Sequence, residues 1–377
     1  MIKTLKEFLE YKTLYYDKID YDVIKKAWFQ LESYITLPFI IHIVGTNGKG
    51  STGRFLASFL NQLNKKTLHY TSPHIIKFNE RIWINGSDSS DEQLDFAHIK
   101  LQKILEIELL EKLTYFEYTT LLALYLSNGF DYIVLEAGLG GEFDATNVVQ
   151  NNITVVPSIG LDHMDFLGDT IEQIATTKLR SCDNTFILGK NINSEAKIVA
   201  NSILKDKKEI VFNDKVKLPN IENNMPEYLI NNLKLSLNVL DYLDLSYHNL
   251  KVDTISGRFQ KIYKNITIDV GHNTLAANVI KNEIKNRQII LIYNSYKDKD
   301  YENILKIFNN NIKEVQIIYC EDERMVDYLI LNQICSTLNL KCSVFDINNI
   351  NINEEYIVFG SFKVVEEFLK LKENIEK

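Results

Sequence analysis

At 377 residues the chain is longer than one hydrophobic core usually serves, and 45% hydrophobic with 24% charged residues is the make-up of an ordinary globular protein of two domains. A formal charge of -8, from 42 basic and 50 acidic residues, excludes a general nucleic-acid binder but leaves room for a local basic pocket. The four cysteines show neither C-x-x-C spacing nor disulfide-like density, Met1–Glu7 has no apolar signal core and no run approaches membrane-spanning length, so a reduced, cytoplasmic protein without a zinc site is expected.

Residues 1–35 carry helical spacings of apolar residues, with Leu5, Phe8 and Leu9 and later Ile24, Ala27, Trp28 and Leu31, and read as helices packed on a sheet. The apolar run Ile40–Val44 ends at Gly45 and passes through Thr46-Asn47-Gly48-Lys49-Gly50-Ser51-Thr52 into the helical pattern Arg54–Leu60. This is strand, phosphate loop, helix. Glycines let successive N–H groups face one concavity, the helix N-terminus adds partial positive charge, Lys49 adds a full one, and Ser51 is placed to hold a magnesium ion. The spacing departs from G-x4-G-K-[ST]: two residues separate Gly45 from Gly48, and Gly50 stands between Lys49 and Ser51.

Thr67–Thr71 predicts a short strand, stopped by Pro73, before a loop that carries Ser72, His74, Glu80 and Arg81. Residues 91–111 predict one charged helix with a solvated face, and Leu113-Thr114-Tyr115-Phe116-Glu117-Tyr118 opens a helix that continues through Leu126. Asp131–Leu135 is a buried strand with Glu136 at its C-terminal end, the edge of an open α/β sheet where ligands bind. A carboxylate there is either a metal ligand or a structural acid. Gly138-Leu139-Gly140-Gly141 and Asp144-Ala145-Thr146-Asn147 follow at once. The next strand, Ile153–Ile159, leads into Asp162-His163, and metal contact is the favoured reading of that His. A helix over 169–178 ends at Lys178, which by itself reads as a solvated surface lysine.

The Asn- and Lys-rich stretch 183–250 alternates short strands with a helix at 227–243 and completes the first domain. After Thr254-Ile255-Ser256-Gly257-Arg258-Phe259-Gln260 the alternation restarts, with strands at 266–269, 288–293, 315–319 and 356–359 and helices at 274–286, 299–309, 323–337 and from 362. The expected fold is α/β: a P-loop NTPase-like N-terminal domain with a mostly parallel sheet (1–254), and a smaller Rossmann-like α/β C-terminal domain (255–377), with a cleft between them.

Gly45-Thr46-Asn47-Gly48-Lys49-Gly50-Ser51, Ser72-Pro73-His74, Thr114-Tyr115-Phe116-Glu117, Glu136-Ala137-Gly138-Leu139-Gly140-Gly141, Asp144-Ala145-Thr146-Asn147, Asp162-His163, Gly257-Arg258-Phe259 and Asp269-Val270-Gly271-His272-Asn273 recur in family order. Together they resemble the bacterial dihydrofolate synthase/folylpolyglutamate synthase family, which belongs with the Mur ligases. The resemblance implies that Asn47, Gly48, Lys49, Gly50, Ser51 and Thr52 bind ATP, joined by Asn232, Arg258 and Asp269. It implies magnesium, two ions in all, on Ser51, Ser72, Glu136, His163 and a Lys178 carbamylated to N6-carboxylysine, which reverses the surface-lysine reading. It also implies a pterin pocket of Thr114, Tyr115, Phe116, Glu117, Phe143, Asp144 and Ala145. The family usually has a basic residue where this chain has Glu142, and a small-residue run where it has Leu179-Arg180-Ser181.

The chemistry implied is ATP-dependent joining of L-glutamate to dihydropteroate, to the tail of reduced folates, or to both. A substrate carboxylate takes the γ-phosphate as an acyl phosphate, and the amine of glutamate then displaces phosphate. Catalysis is then positioning and charge stabilisation by Lys49, Glu136, His163, Lys178, Arg258 and His272. A monomer acting on small molecules, with no nucleic-acid or membrane partner, is expected. Two alternatives are a nucleotide-binding switch without ligase chemistry and a Mur-type ligase of cell-wall precursors; the Thr114–Glu117 and Asp144–Asn147 matches stand against the second.

Overall fold

The β-branched run Phe39–Ile43 forms the central strand β1 in a computed structural model that describes residues 4–12, 20–221 and 225–376. The chain divides into two units, Met1–Met225 with Leu229–Asp253, and Pro226–Tyr228 with Thr254–Lys377. In the first, β2 (Thr67–Tyr70), β3 (Ile82–Ile84), β4 (Ser87–Asp88), β5 (Tyr132–Glu136), β6 (Ile153–Val156), β7 (Thr185–Leu188) and β8 (Lys208–Ile210) join β1 in the order β4-β3-β2-β5-β1-β6-β7-β8. β3 and β4 are antiparallel additions at one edge, and every other pairing is parallel. Parallel strands covered on both faces need continuous apolar runs. Ile40, Ile41 and Ile43, Ile133–Leu135 and Ile153 with Val155 and Val156 supply them.

The helices of this unit are α1 (Leu5–Glu10), α2 (Tyr21–Leu31), α3 (Lys49–Gln62), α4 (Asp91–Ile104), α5 (Ile107–Lys112), α6 (Tyr115–Leu126), α7 (Met164–Leu167), α8 (Ile171–Leu179), α9 (Ser194–Ile203) and most of α10 (Glu227–Tyr242). One core packs α1, α2, α4, α5 and α6 on the sheet, and a second packs α8 and α9. The helix predicted over 91–111 is two helices. Leu105 turns extended and is buried, re-aiming the chain so that Leu109 and Leu110 also reach the core. Its solvated face is only one side, since Leu94, Ala97, His98 and Leu101 are buried. The strand predicted through Ile159 stops at Val156, because Pro157 has no N–H to continue the ladder. The part of the N-terminal helical pattern that falls on 1–3 and 13–19 lies outside the described residues.

Among the described residues the second unit has six strands, β9 (Gln260–Tyr263), β10 (Ile266–Ile268), β11 (Ile289–Tyr293), β12 (Ile312–Ile317), β13 (Cys342–Val344) and β14 (Tyr356–Phe359), in the order β13-β12-β11-β14-β10-β9. Only β9 runs antiparallel to its neighbour. α11 (Thr274–Ile284), α12 (Tyr301–Phe308), α13 (Tyr328–Thr337) and α14 (Phe362–Glu376) connect and cover the strands. The helix predicted from 323 starts at Tyr328, where the Asp327 carboxylate accepts from Leu329 N and caps it; the preceding residues instead form a turn whose Met325 bridges to Tyr296. Both units are thus α/β with mostly parallel sheets, and among the described residues no helix is long and apolar enough to cross a membrane.

Candidate active site

Gly48 caps α3 with φ +88, and a Cβ there would lie 2.8 Å from the Asn232 side-chain oxygen, so the loop needs glycine for both its conformation and its neighbour. The loop is laced to the turn after β6. Thr46 N donates to Ser158 O at 2.8 Å, Asn47 N to Ser158 Oγ at 3.0 Å, and Thr46 Oγ1 to Gly160 O at 3.0 Å. Lys49 Nζ curls back to donate to Gly45 O at 3.1 Å and Thr46 O at 3.3 Å. On the first turn of α3 the Ser51 and Thr52 hydroxyls are buried without a hydrogen-bond partner among the described residues. Burying a hydroxyl unpaired costs about 1–3 kcal/mol. A phosphate oxygen or a metal ion at this helix N-terminus would satisfy both groups, so the residues present fit such ligands.

β2, β5, β1 and β6 are neighbours and parallel, so the residues after their C-terminal ends share one edge. That edge gathers Ser72, Glu136, the phosphate loop and the turn leading to His163. Glu136 is buried, and Thr71 Oγ1 donates to its Oε2. His163 sits at the N-cap of α7 with φ +53 and is exposed. Lys178, on the last turn of α8, is 4% exposed and donates from Nζ to Gly45 O at 3.0 Å, which excludes the surface-lysine reading. Burial first, and nearby Lys49 second, lower its pKa to about 7, with Asp162 and Asp144 opposing.

The Thr114–Glu117 motif is a capping box that opens α6: Glu117 N donates to Thr114 Oγ1 at 3.0 Å and Thr114 N to Glu117 Oε2 at 2.9 Å. The other Glu117 oxygen is buried with no hydrogen-bond partner among the described residues, and burial pushes this carboxyl's pKa up. The Phe116 ring lies against Gly138, where a Cβ would come within 2.8 Å of it, and it stacks on Tyr70 at 5.7 Å. Tyr115 lies under the Arg81 guanidinium at 5.2 Å. Phe143 is half exposed and meets Tyr21 at 5.1 Å, while Asp144 and Ala145 are buried. Asp144 accepts from Leu139 N, Thr146 N and Thr146 Oγ1 at 2.8, 2.9 and 2.6 Å. Glu80, in contrast, is a local clamp, accepting from Ile75, Ile76 and Lys77 N–H groups.

Asn232 stays in the first unit beside Gly48, whereas Arg258, Asp269 and His272 belong to the second. Asp269 is buried and accepts from Tyr228 OH at 2.9 Å, Phe259 N at 2.8 Å and Gly271 N at 2.7 Å. Burial raises its pKa, against the opposing effects of Arg258 and these donors. The Arg258 guanidinium lies over the Phe362 ring at 5.4 Å, and His272 Nδ1 is 3.2 Å from Val270 O.

Residues 43–217 match the model of the Mur ligase middle domain. A curated relative, the dihydrofolate synthase/folylpolyglutamate synthase of Buchnera aphidicola subsp. Schizaphis graminum, is 31% identical over 381 residues, covering 89% of this chain and 88% of its own. The chain belongs to the dihydrofolate synthase/folylpolyglutamate synthase family. Among solved structures, the folylpolyglutamate synthetase of Helicobacter pylori is similar at 36% identity and TM-score 0.75, with 98% of both chains covered. The bifunctional folylpolyglutamate synthase/dihydrofolate synthase of Yersinia pestis, solved with AMPPNP and Mn ion, shares the fold at 23% identity and TM-score 0.82, covering 98% of this chain and 97% of that one.

In this dihydrofolate synthase/folylpolyglutamate synthase family member, Glu142 and Arg180 touch each other. Arg180 Nη1 lies 3.4 Å from Glu142 Oε2, so the two form a partly exposed ion pair. The loop around them is fastened to α8 through Glu142 N to Thr177 O at 2.8 Å. Three site neighbours carried no sequence signal. Tyr21 was one more residue on a packing helix, but its ring meets Phe143; Thr71 was the end of a strand; His42 was a residue inside another.

Proposed function

We propose that this chain is an ATP-dependent acid–amino-acid ligase that joins L-glutamate to dihydropteroate, to the glutamate tail of reduced folates, or to both, with release of ADP and phosphate. The observation that carries the reading is the pair of buried, unpartnered hydroxyls of Ser51 and Thr52 on the first turn of α3, beside Lys49. In this reading Asn47–Thr52 and Asn232 hold the nucleotide, and Arg258, Asp269 and His272 are further ATP-binding and catalytic residues. Thr114–Glu117 and Phe143–Ala145 hold the pterin, with the Phe116 ring as its apolar wall.

A divalent ion fits the donor set Ser51, Ser72, Glu136 and His163, and the Yersinia pestis complex with AMPPNP and Mn supports such use in this fold. Magnesium bound there, as two ions, would neutralise charge on the phosphates. Lys178 joins that set as a carbamate. Its pKa of about 7 leaves much of the amine neutral near pH 7, the form whose lone pair adds to CO2 with loss of a proton. Lys49 offers its charge to the phosphoryl group once ligand oxygens replace Gly45 O and Thr46 O as its acceptors. The enzyme acts as a cytoplasmic monomer on small molecules.

Purified protein with ATP, magnesium and L-glutamate is the test, with dihydropteroate or tetrahydrofolate as acceptor. Amide formation and phosphate release that need both acceptor and glutamate are expected. Slow ATP hydrolysis indifferent to both would overturn the ligase reading in favour of a nucleotide switch. Intact mass of the active protein reads the carbamate as the added mass of one CO2.

A further inference from the structure

His42 is a polar residue in the middle of an otherwise apolar strand, 1% exposed, with its Nε2 2.8 Å from Thr146 Oγ1. The same hydroxyl lies 2.6 Å from Asp144 Oδ1. An ionised carboxylate only accepts, and three donors converge on this one, so the single hydroxyl proton of Thr146 goes to Asp144. Thr146 Oγ1 must then accept from His42, which fixes the imidazole as the Nε2–H tautomer. Its Nδ1 is left buried without a hydrogen-bond partner among the described residues. A side chain kept only to fill the core would be better apolar, since an unpaired buried polar atom costs about 1–3 kcal/mol.

The directed chain ends on a carboxylate that is nearly saturated. Oδ1 takes Thr146 N and Oγ1, while among the described residues Oδ2 takes only Leu139 N and keeps one acceptor site. We propose that His42 and Thr146 are positioning residues: through the relay His42 to Thr146 to Asp144 they hold the remaining acceptor site of Asp144 Oδ2 for an N–H on the edge of the pterin ring. This rests on the reading of Asp144 as a pterin-pocket residue. Neither His42 nor Thr146 touches the substrate; they act by denying the carboxylate a rotation that would present a different lone pair.

The test is steady-state ligation by Thr146→Val, Thr146→Ser and Asp144→Asn variants, with KM for the pterin acceptor, KM for ATP and kcat measured separately. Thr146→Val, close to isosteric but unable to relay, should raise the acceptor KM about tenfold, the worth of one hydrogen bond to a charged group, with ATP KM and kcat within about twofold. Thr146→Ser should restore the wild-type value. An Asp144→Asn variant with a wild-type acceptor KM overturns the pocket reading and this inference with it. Impaired Asp144→Asn beside an unaltered Thr146→Val overturns the relay alone, as does a Thr146→Val loss spread equally over all three parameters. Ring-nitrogen NMR of the wild-type protein tests the relay without any variant: Nε2–H at His42 is required, and an Nδ1–H tautomer rules it out.

Discussion

A neutral imidazole at residue 42 ties stability to acid. Burial lowers the pKa of His42 to about 4, against the ordinary 6.5 of an unfolded chain. Between those values the unfolded state binds a proton that the folded state does not. The contribution of His42 is therefore intact above about pH 6.5 and is lost progressively as pH falls to about 4, by about 3 kcal/mol. Asp144 and Glu117 have raised pKa values, so the cost of burying their charge is relieved as pH falls, and a difference experiment is needed. Denaturant unfolding of wild type and His42→Gln across pH 4 to pH 7 should give a shallower acid limb for the variant; parallel limbs would show that the histidine is not the titrating group. In the sequence His42 was one residue within an apolar run, and its role is set by Thr146, over a hundred positions later, which no local pattern reveals.

At the scale of elements, the contact between the Gly138–Asp144 loop and the end of α8 sets the position of Lys178. A Cβ at Gly141 would lie 2.6 Å from Lys178 O, 2.9 Å from Lys178 Cα and 3.0 Å from Thr177 O. All three are backbone atoms, so no rotamer change relieves the clash. Gly141→Ala should cost about 1–3 kcal/mol and lower ligation markedly, because loop and helix must separate. Gly129→Ala, at φ +77 with nothing within 4 Å, should cost only about 1 kcal/mol and leave turnover alone. Thermal unfolding with parallel ligation assays separates the two, and equal behaviour would remove the role given to this contact. The central strands were legible because parallel, doubly covered strands are continuous apolar runs. The short edge strands β4 and β8 are mostly exposed and carry no such run, so nothing in their residues announces them. The break at Leu105 was equally hidden, since both halves of 91–111 keep a helical pattern. Burial of Lys178 depends on the carbonyl of Gly45, brought near by the parallel order of strands, and only the motif resemblance had pointed to it.

For the whole molecule, the division into units does not follow a single cut in the chain. Pro226–Tyr228, and with it the first turn of α10, groups with the second unit, while the helix from Leu229 onward groups with the first. Tyr228 earns that grouping through its hydroxyl bond to Asp269 and its packing in the second core. Tyr228→Phe should keep the packing and remove the donor, lowering the stability of the second unit by about 1–3 kcal/mol and raising the KM for ATP if Asp269 serves the nucleotide. Calorimetry of the full chain with ATP kinetics checks both, and an unchanged melt would show that the bond is dispensable. The arrangement also governs how such enzymes recombine. A chimera spliced at Asp253/Thr254 would transplant Asp269 but leave its hydroxyl partner behind, so the heritable module is a discontinuous one. Exchange between relatives is expected to succeed only where position 228 travels with the C-terminal segment or is already a tyrosine in both parents.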